Sequence, residues 1–287
     1  MIKSFICLLF MGSLAQAANV ATSDVTNQAQ AKKWHILFDV NHQPPARDDQ
    51  FAATDITLFF DYQLNPKHSL RVLQAPTKNY DLGGTRGENE WMPSDTILSH
   101  FWTLPWTVEQ TGTRFRLVNV LNLPTSIDSQ DNQKYLTMGQ TLQLNTMIKG
   151  KMLISVRPFY RYNWYRYNVT GPGVTGGRPL PLFLYGVTML NSYNVTDYLS
   201  LNATFSYSVV NESASQYDTS TNLNGWVEEN PGGRYSVDLA ANYSFTDKFA
   251  MYLGYSQGDN YLIDGRFEMF TYDSQTTRYS VGTTFYF

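Results

Sequence analysis

Arg114 and Arg116 stand two residues apart, and Arg157 and Arg161 stand four apart. On an extended chain, successive side chains point to opposite faces, so each pair projects from one face. Guanidinium groups stacked in this way make a fixed ladder of positive charge. A ladder in contact with water attracts and orients anions; it does not by itself make or break a bond. Arg71, Lys151 and Arg278 fall at the equivalent parity of their own segments, and so do five acids: Asp39, Asp55, Asp61, Asp95 and Asp238. Five of the basic residues fall on two stretches that flank a third, while the acids concentrate on others. Around an enclosed space the result is a polarised wall, basic on one side and acidic elsewhere.

The residues that could instead do covalent or metal chemistry do not assemble. His35, His42, His68 and His100 lack metal-ligand spacing. Ser99 and His100 are adjacent, so on a strand they face opposite ways and cannot act as nucleophile and base. A lipase-type pair of His and Ser on an outer wall is therefore missing. The acids Asp48, Asp49, Glu88, Glu90, Glu228 and Glu229 could furnish a protease-type rim, yet only His42 could join them. Gly171 to Gly176 matches G-x-G-x-x-G, but it runs into Arg178-Pro179-Leu180-Pro181 and not into a helix, so the nucleotide-binding context is absent. Three glycosylation sequons, beginning at Asn168, Asn194 and Asn202, are chance matches on this reading. No cofactor and no metal is expected.

The elements that must hold the charges are strands. Apolar and polar residues alternate with period two, and this pattern predicts strands near 33–42, 54–63, 68–75, 95–104, 110–122, 133–146, 151–166, 182–195, 198–210, 233–245, 248–258 and 275–287. In 198–210, Leu199, Leu201, Ala203, Phe205, Tyr207 and Val209 share a face, opposite Ser200, Asn202, Thr204, Ser206 and Ser208. The connections alternate in length. Short ones are predicted at 64–67, 105–109, 147–150, 196–197 and 246–247, and long ones at 43–53, 76–94, 123–132, 167–181, 211–232 and 259–274. Such alternation belongs to an antiparallel up-and-down barrel with short periplasmic turns and long extracellular loops. Pro158 falls inside a strand, where it cannot donate to the ladder, and predicts a bulge.

Composition narrows the class. Tyr (20), Phe (17) and Trp (6) make up 15% of the chain, while mean hydropathy is −0.33 and no segment after the leader approaches 18 consecutive apolar residues. Helical membrane spans are excluded; a barrel with a polar lumen and aromatic girdles is not. A net charge of −3 argues against nucleic acid. Lys3, the apolar run from Phe5 to Phe10 and the Ala15-Gln16-Ala17 site predict a signal peptide over 1–17, followed by a polar linker over 18–32 and a barrel over 33–287. Cys7, the only cysteine, lies in that leader.

The last residues, Gly282-Thr283-Thr284-Phe285-Tyr286-Phe287, place a glycine before aromatics two apart and end in Phe. They resemble the C-terminal signal by which Gram-negative outer-membrane barrels are recognised for assembly, with Gly282, Phe285 and Phe287 as its key positions. The strand number, about 12, and the basic stripe resemble the 12-stranded porins that pass acidic oligosaccharides along an arginine-lined lumen. That resemblance implies a transmembrane all-β barrel in the cell outer membrane, in contact with lipid and lipopolysaccharide and delivered by the barrel-assembly machinery. It implies passive transport of small hydrophilic solutes with a preference for anions, and no nucleic-acid partner. A surface enzyme of lipase or protease type, or a structural or adhesive barrel, stands as the alternative.

Overall fold

A computed structural model describes residues 33–44, 52–80, 90–166, 180–212, 233–261 and 277–287. The predicted leader and linker (1–32), the 171–176 glycine motif, most of 211–232, and the acids Asp48, Asp49, Glu88, Glu228 and Glu229 lie outside the described residues.

Wherever the sequence alternates, the chain is extended. The strands are β1 (Trp34–Gln43), β2 (Ala53–Asn65), β3 (His68–Gln74), β4 (Thr77–Asn79), β5 (Trp91–Met92), β6 (Thr96–Val108) and β7 (Thr113–Leu123). After a one-turn helix, α1 (Ile127–Asp131), they continue as β8 (Lys134–Ile148), β9 (Met152–Tyr165), β10 (Pro181–Asn194), β11 (Leu199–Glu212), β12 (Arg234–Thr246), β13 (Phe249–Tyr261) and β14 (Thr277–Tyr286). All pairings are antiparallel, and β1 pairs with both β2 and β14, so the sheet closes on itself. The short β4 and β5 pair with each other beside β2, extending the wall above β3 and β6. Counted this way the wall is a closed barrel of 12 strands, each paired on both sides among the described residues.

The two faces are inverted relative to a soluble sheet. Outward side chains are large and apolar: Leu253 is 66% exposed, Met138 49% and Leu201 47%. The inward side chains of the same region are small, polar and buried, among them Ser155, Thr188, Asn202, Thr204, Ser206, Ser208 and Ser236. So much exposed apolar surface is stable only against hydrocarbon. Strands of 13 to 15 residues, such as β2, β8 and β9, exceed the roughly 9–11 residues that a tilted strand needs to cross a bilayer. Every connection at one end is tight: 66–67, 109–112, 149–151, 195–198 and 247–248. Gly112 and Gly150 occupy two of these turns at φ of +65° and +68°, a region glycine enters without steric cost.

The two internal prolines need different accounts. No bulge forms at Pro158. The β8–β9 pairing runs Thr141↔Phe159 and resumes at Leu144↔Val156 in unchanged register, so the ladder skips the proline and its neighbour. On the other side Pro158 stays in register opposite Val187. Pro105, read from sequence as part of a turn, instead sits in a bulge. Thr103 pairs with Arg116 and Thr107 with Arg114, so β6 carries two extra residues there and continues to Val108. A bulge leaves residues out of the ladder, and a proline then removes no donor that the ladder needed.

Candidate channel lumen

Inward parity places Arg71 on β3, Arg116 on β7, and Arg157 and Arg161 on β9. Registers across the wall show how they align. Arg116 opposes Gln143 on β8, and Gln143 in that register faces Arg157, so two strand spacings, about 10 Å, separate these two charges. Arg161 opposes Gly139, Gly139 opposes Val120, Val120 opposes Ser99, and Ser99 opposes Arg71. Arg157 also lies within electrostatic reach of both Arg116 and Arg71.

Each guanidinium is held differently. Arg71 makes a fork-to-fork ion pair with Asp61, Nε to Oδ1 at 2.6 Å and Nη2 to Oδ2 at 2.7 Å. It is wedged between the rings of Phe59 and Phe101, with centroids 4.8 and 5.1 Å from Cζ. Arg116 Cζ lies 4.3 Å from the centroid of the same Phe101 ring, and its Nη2 donates to Ser69 Oγ at 3.2 Å. Arg157 Nε donates to Ser155 Oγ at 2.8 Å, and Ser155 in turn donates to Asn145 Oδ1 at 2.6 Å. Arg161 lies against the Phe159 ring at 5.8 Å. Its Nη1 is buried without a hydrogen-bond partner among the described residues. A Cβ at position 139 would come within 3.0 Å of that nitrogen, so Gly139 makes room for the guanidinium.

Arg71 is thus neutralised by its own carboxylate on β2. The other cations of the sequence reading lie elsewhere. Arg114 is at the exposed short-turn end of β7. Lys151 was placed on the wall from parity but belongs to the β8–β9 turn, because Lys149 and Gly150 take up the left-handed turn conformation first. Arg278 on β14 lies within electrostatic reach of Asp55 across the barrel seam.

The acids are largely occupied. Asp39 on β1 is fully buried and accepts from Thr284 Oγ1 at 2.6 Å and Tyr252 Oη at 3.2 Å. Asp55 accepts from Gln43 Nε2 at 3.0 Å and Thr77 Oγ1 at 2.7 Å. Asp61 is taken by Arg71. Asp238 on β12 keeps one carboxylate oxygen without a hydrogen bond among the described residues. Asp95 was read as a wall acid, yet it precedes β6 and belongs to a loop tie. Ser126 N and Oγ donate to it at 3.0 and 2.7 Å, Ser129 Oγ at 2.7 Å and Lys134 Nζ at 3.0 Å. Burial alone would raise its carboxyl, but Lys134 and these hydrogen bonds outweigh burial and hold it below its usual value.

The C-terminal residues have visible structural work. Phe285 faces outward and packs on Phe249 and Phe38, with centroids 5.1 and 6.3 Å apart. Phe287 N donates to Ile36 O at 2.9 Å across the closing seam. Gly282 faces inward, and the Tyr252 ring lies directly over it, where any Cβ would collide. Phe59, Phe101 and Tyr252 were not singled out from the sequence. Their signal was an aromatic at inward parity, where a barrel otherwise places small polar residues.

No family model matches the sequence, and no curated protein matches it. Among solved structures, an outer membrane channel from Pseudomonas putida F1 is similar over 88% of this chain and 95% of its own, with a TM-score of 0.58 and 12% identity. The NanC porin is similar over 87% of this chain and 98% of its own, with a TM-score of 0.54 and 9% identity. At such identities the likeness is one of fold, and the fold is that of outer-membrane channel barrels.

Proposed function

We propose that this chain is an outer-membrane channel through which small hydrophilic solutes diffuse passively, with anions favoured over cations. The observation that carries the reading is the grouping of Arg116, Arg157 and Arg161 on one stretch of inner wall while Asp39, Asp55, Asp61 and Asp95 are engaged by protein donors. Like charges about 10 Å apart repel by roughly 1–2 kcal/mol at an effective dielectric of about 20, and a passing anion relieves that repulsion. A cation meets it in full. The fold neighbours, a channel and a porin by their own descriptions, support the same reading. Lipid and lipopolysaccharide around the barrel, and the assembly machinery that reads its end, complete the proposed partners.

Conductance and reversal potential in a planar bilayer test this. The wild-type chain is expected to conduct in discrete steps with an anion-selective reversal potential at low salt. Arg116→Glu, Arg157→Glu and Arg161→Glu together should shift it toward cations, because lumen substitutions tune selectivity more than stability. The Debye length is about 10 Å at 0.1 M salt and about 3 Å at 1 M, so the shift should shrink as salt rises. A folded, conducting triple variant with unchanged selectivity would remove these arginines from the permeation path.

A further inference from the structure

The outer wall carries a polar row that the lumen does not explain. Its members lie at the same parity as the exposed Leu70, Trp102, Met138 and Tyr162, so they face the lipid side. Tyr160 Oη donates to Gln140 Oε1 at 2.9 Å, Gln140 Nε2 to Asn119 Oδ1 at 2.8 Å, and Asn119 Nδ2 to His100 Nδ1 at 3.3 Å. An accepting Nδ1 leaves the proton of neutral His100 on Nε2, which then donates to His68 Nδ1 at 3.0 Å. The His68 ring is also stacked on Trp102 at 5.8 Å. The row thus crosses β9, β8, β7, β6 and β3 with every donor pointing one way. Its registers are direct: Tyr160↔Gln140, Gln140↔Asn119 and Asn119↔His100.

It is not a hydrolase pair. The residues two before and two after His100 on the same face are Leu98 and Trp102, so no hydroxyl nucleophile accompanies it on its strand. Nor does hydrocarbon tolerate such a row without compensation. Each amide has two N–H groups and the row uses one, and a polar group left unsatisfied in apolar surroundings costs several kcal/mol.

A second irregularity falls in the same sector. The β8–β9 ladder is skipped at Leu142 and Gln143 opposite Pro158 and Arg157, and β6 is bulged between Thr103 and Thr107. The gap at Leu142 and Gln143 lies mid-strand, and backbone groups out of the ladder within a membrane call for cover by protein rather than by lipid.

We propose that the outer wall from β6 to β9 is a lateral interface and that a second copy of this chain occupies it. The row contains no carboxylate, lysine or arginine, and its amides are both donors and acceptors. It therefore complements itself and asks for no oppositely charged partner. A two-fold axis along the membrane normal sets one patch against the other, both barrels keeping the same orientation.

Single cysteines test this in a Cys7→Ser background, which contains no other thiol. Leu117→Cys, Leu121→Cys and Leu142→Cys flank the row without cutting it, and Leu253→Cys marks β13 outside the sector. Treatment of outer membranes with a short bis-maleimide should give a product of twice the chain mass from the first three and none from the fourth. In lipid nanodiscs the wild-type mass should be that of two chains, and His100→Leu/Asn119→Leu/Gln140→Leu should give one chain that is still heat-modifiable. Equal cross-linking at Leu253→Cys, or none at the three flanking positions, overturns the proposal. So does a cross-linked product containing a different protein, or a triple-leucine variant that remains a dimer. Failure of the triple variant to fold would leave the cross-linking to decide.

Discussion

Tyr252 reaches Asp39 only because position 282 has no side chain. The ring crosses the β14 backbone at Gly282, and its hydroxyl then finds a carboxylate on β1. Gly282→Ala is expected to push the ring off this seat, at a cost of about 1–3 kcal/mol for overpacking together with the lost hydrogen bond. Tyr252→Phe removes only the hydroxyl and should cost about 1 kcal/mol. Urea unfolding of the refolded barrel, followed by gel mobility, ranks the two; a Gly282→Ala variant as stable as wild type would refute the seat. At this scale the sequence was partly legible. Gly282 stood out from its place in a terminal pattern, and the arginine faces followed from parity. That Tyr252 fills the space over Gly282, and that Gly139 accommodates Arg161, depends on which residues become neighbours across strands, and spacing along one strand carries no such information.

Strands were legible because a membrane barrel writes its period twice, apolar to lipid and polar to lumen, and all 12 expected segments match observed strands. What escaped were elements defined by caps and registers. The helix α1 sits in a loop read as irregular, although Ser126 caps it by accepting from Ser129 N at 3.1 Å, and Asp128 stands in its first turn. The Asp95 tie joins that helix to β6 and to Lys134 at the start of β8. Because the folded carboxyl titrates below its usual value of 3.8, its stabilisation is complete above the ordinary carboxylate range. It is lost as pH falls through the lowered value. The hydrogen-exchange protection of residues 126–132, relative to the intrinsic rate at each pH, should therefore be high at neutral pH and fall below about pH 4, the ordinary carboxylate range. Asp95→Asn, which removes the charge that Lys134 and the serines address, should exchange fast at every pH. Slow exchange in that variant would show that the loop holds itself.

The whole molecule exists only when its ends meet. Phe287 N and O both bond to Ile36, at 2.9 and 3.4 Å, and six residue pairs align β1 with β14. Deleting Phe287 removes these terminal bonds, and we expect less heat-modifiable barrel in the outer membrane, measured by unheated gel mobility of fractionated cells. Unchanged amounts would mean that the last residue is dispensable for assembly.

Closure also ties the first strand to the last made. Thr284 donates to Asp39 across 245 residues of chain, on the same seam that joins Phe287 to Ile36. A contact so distant in sequence forms late, after nearly every neighbour-to-neighbour hairpin can have formed. Until then the sheet is an open ribbon with β1 and the newest strand as bare edges, each able to pair with another chain. An incomplete polypeptide lacking β14 stays in that condition permanently, with β1 and β13 unmated. The closing seam therefore works as a length gauge: only a chain copied to its closing strand can hide its edges, and a truncated one leaves β1 and β13 without their partner.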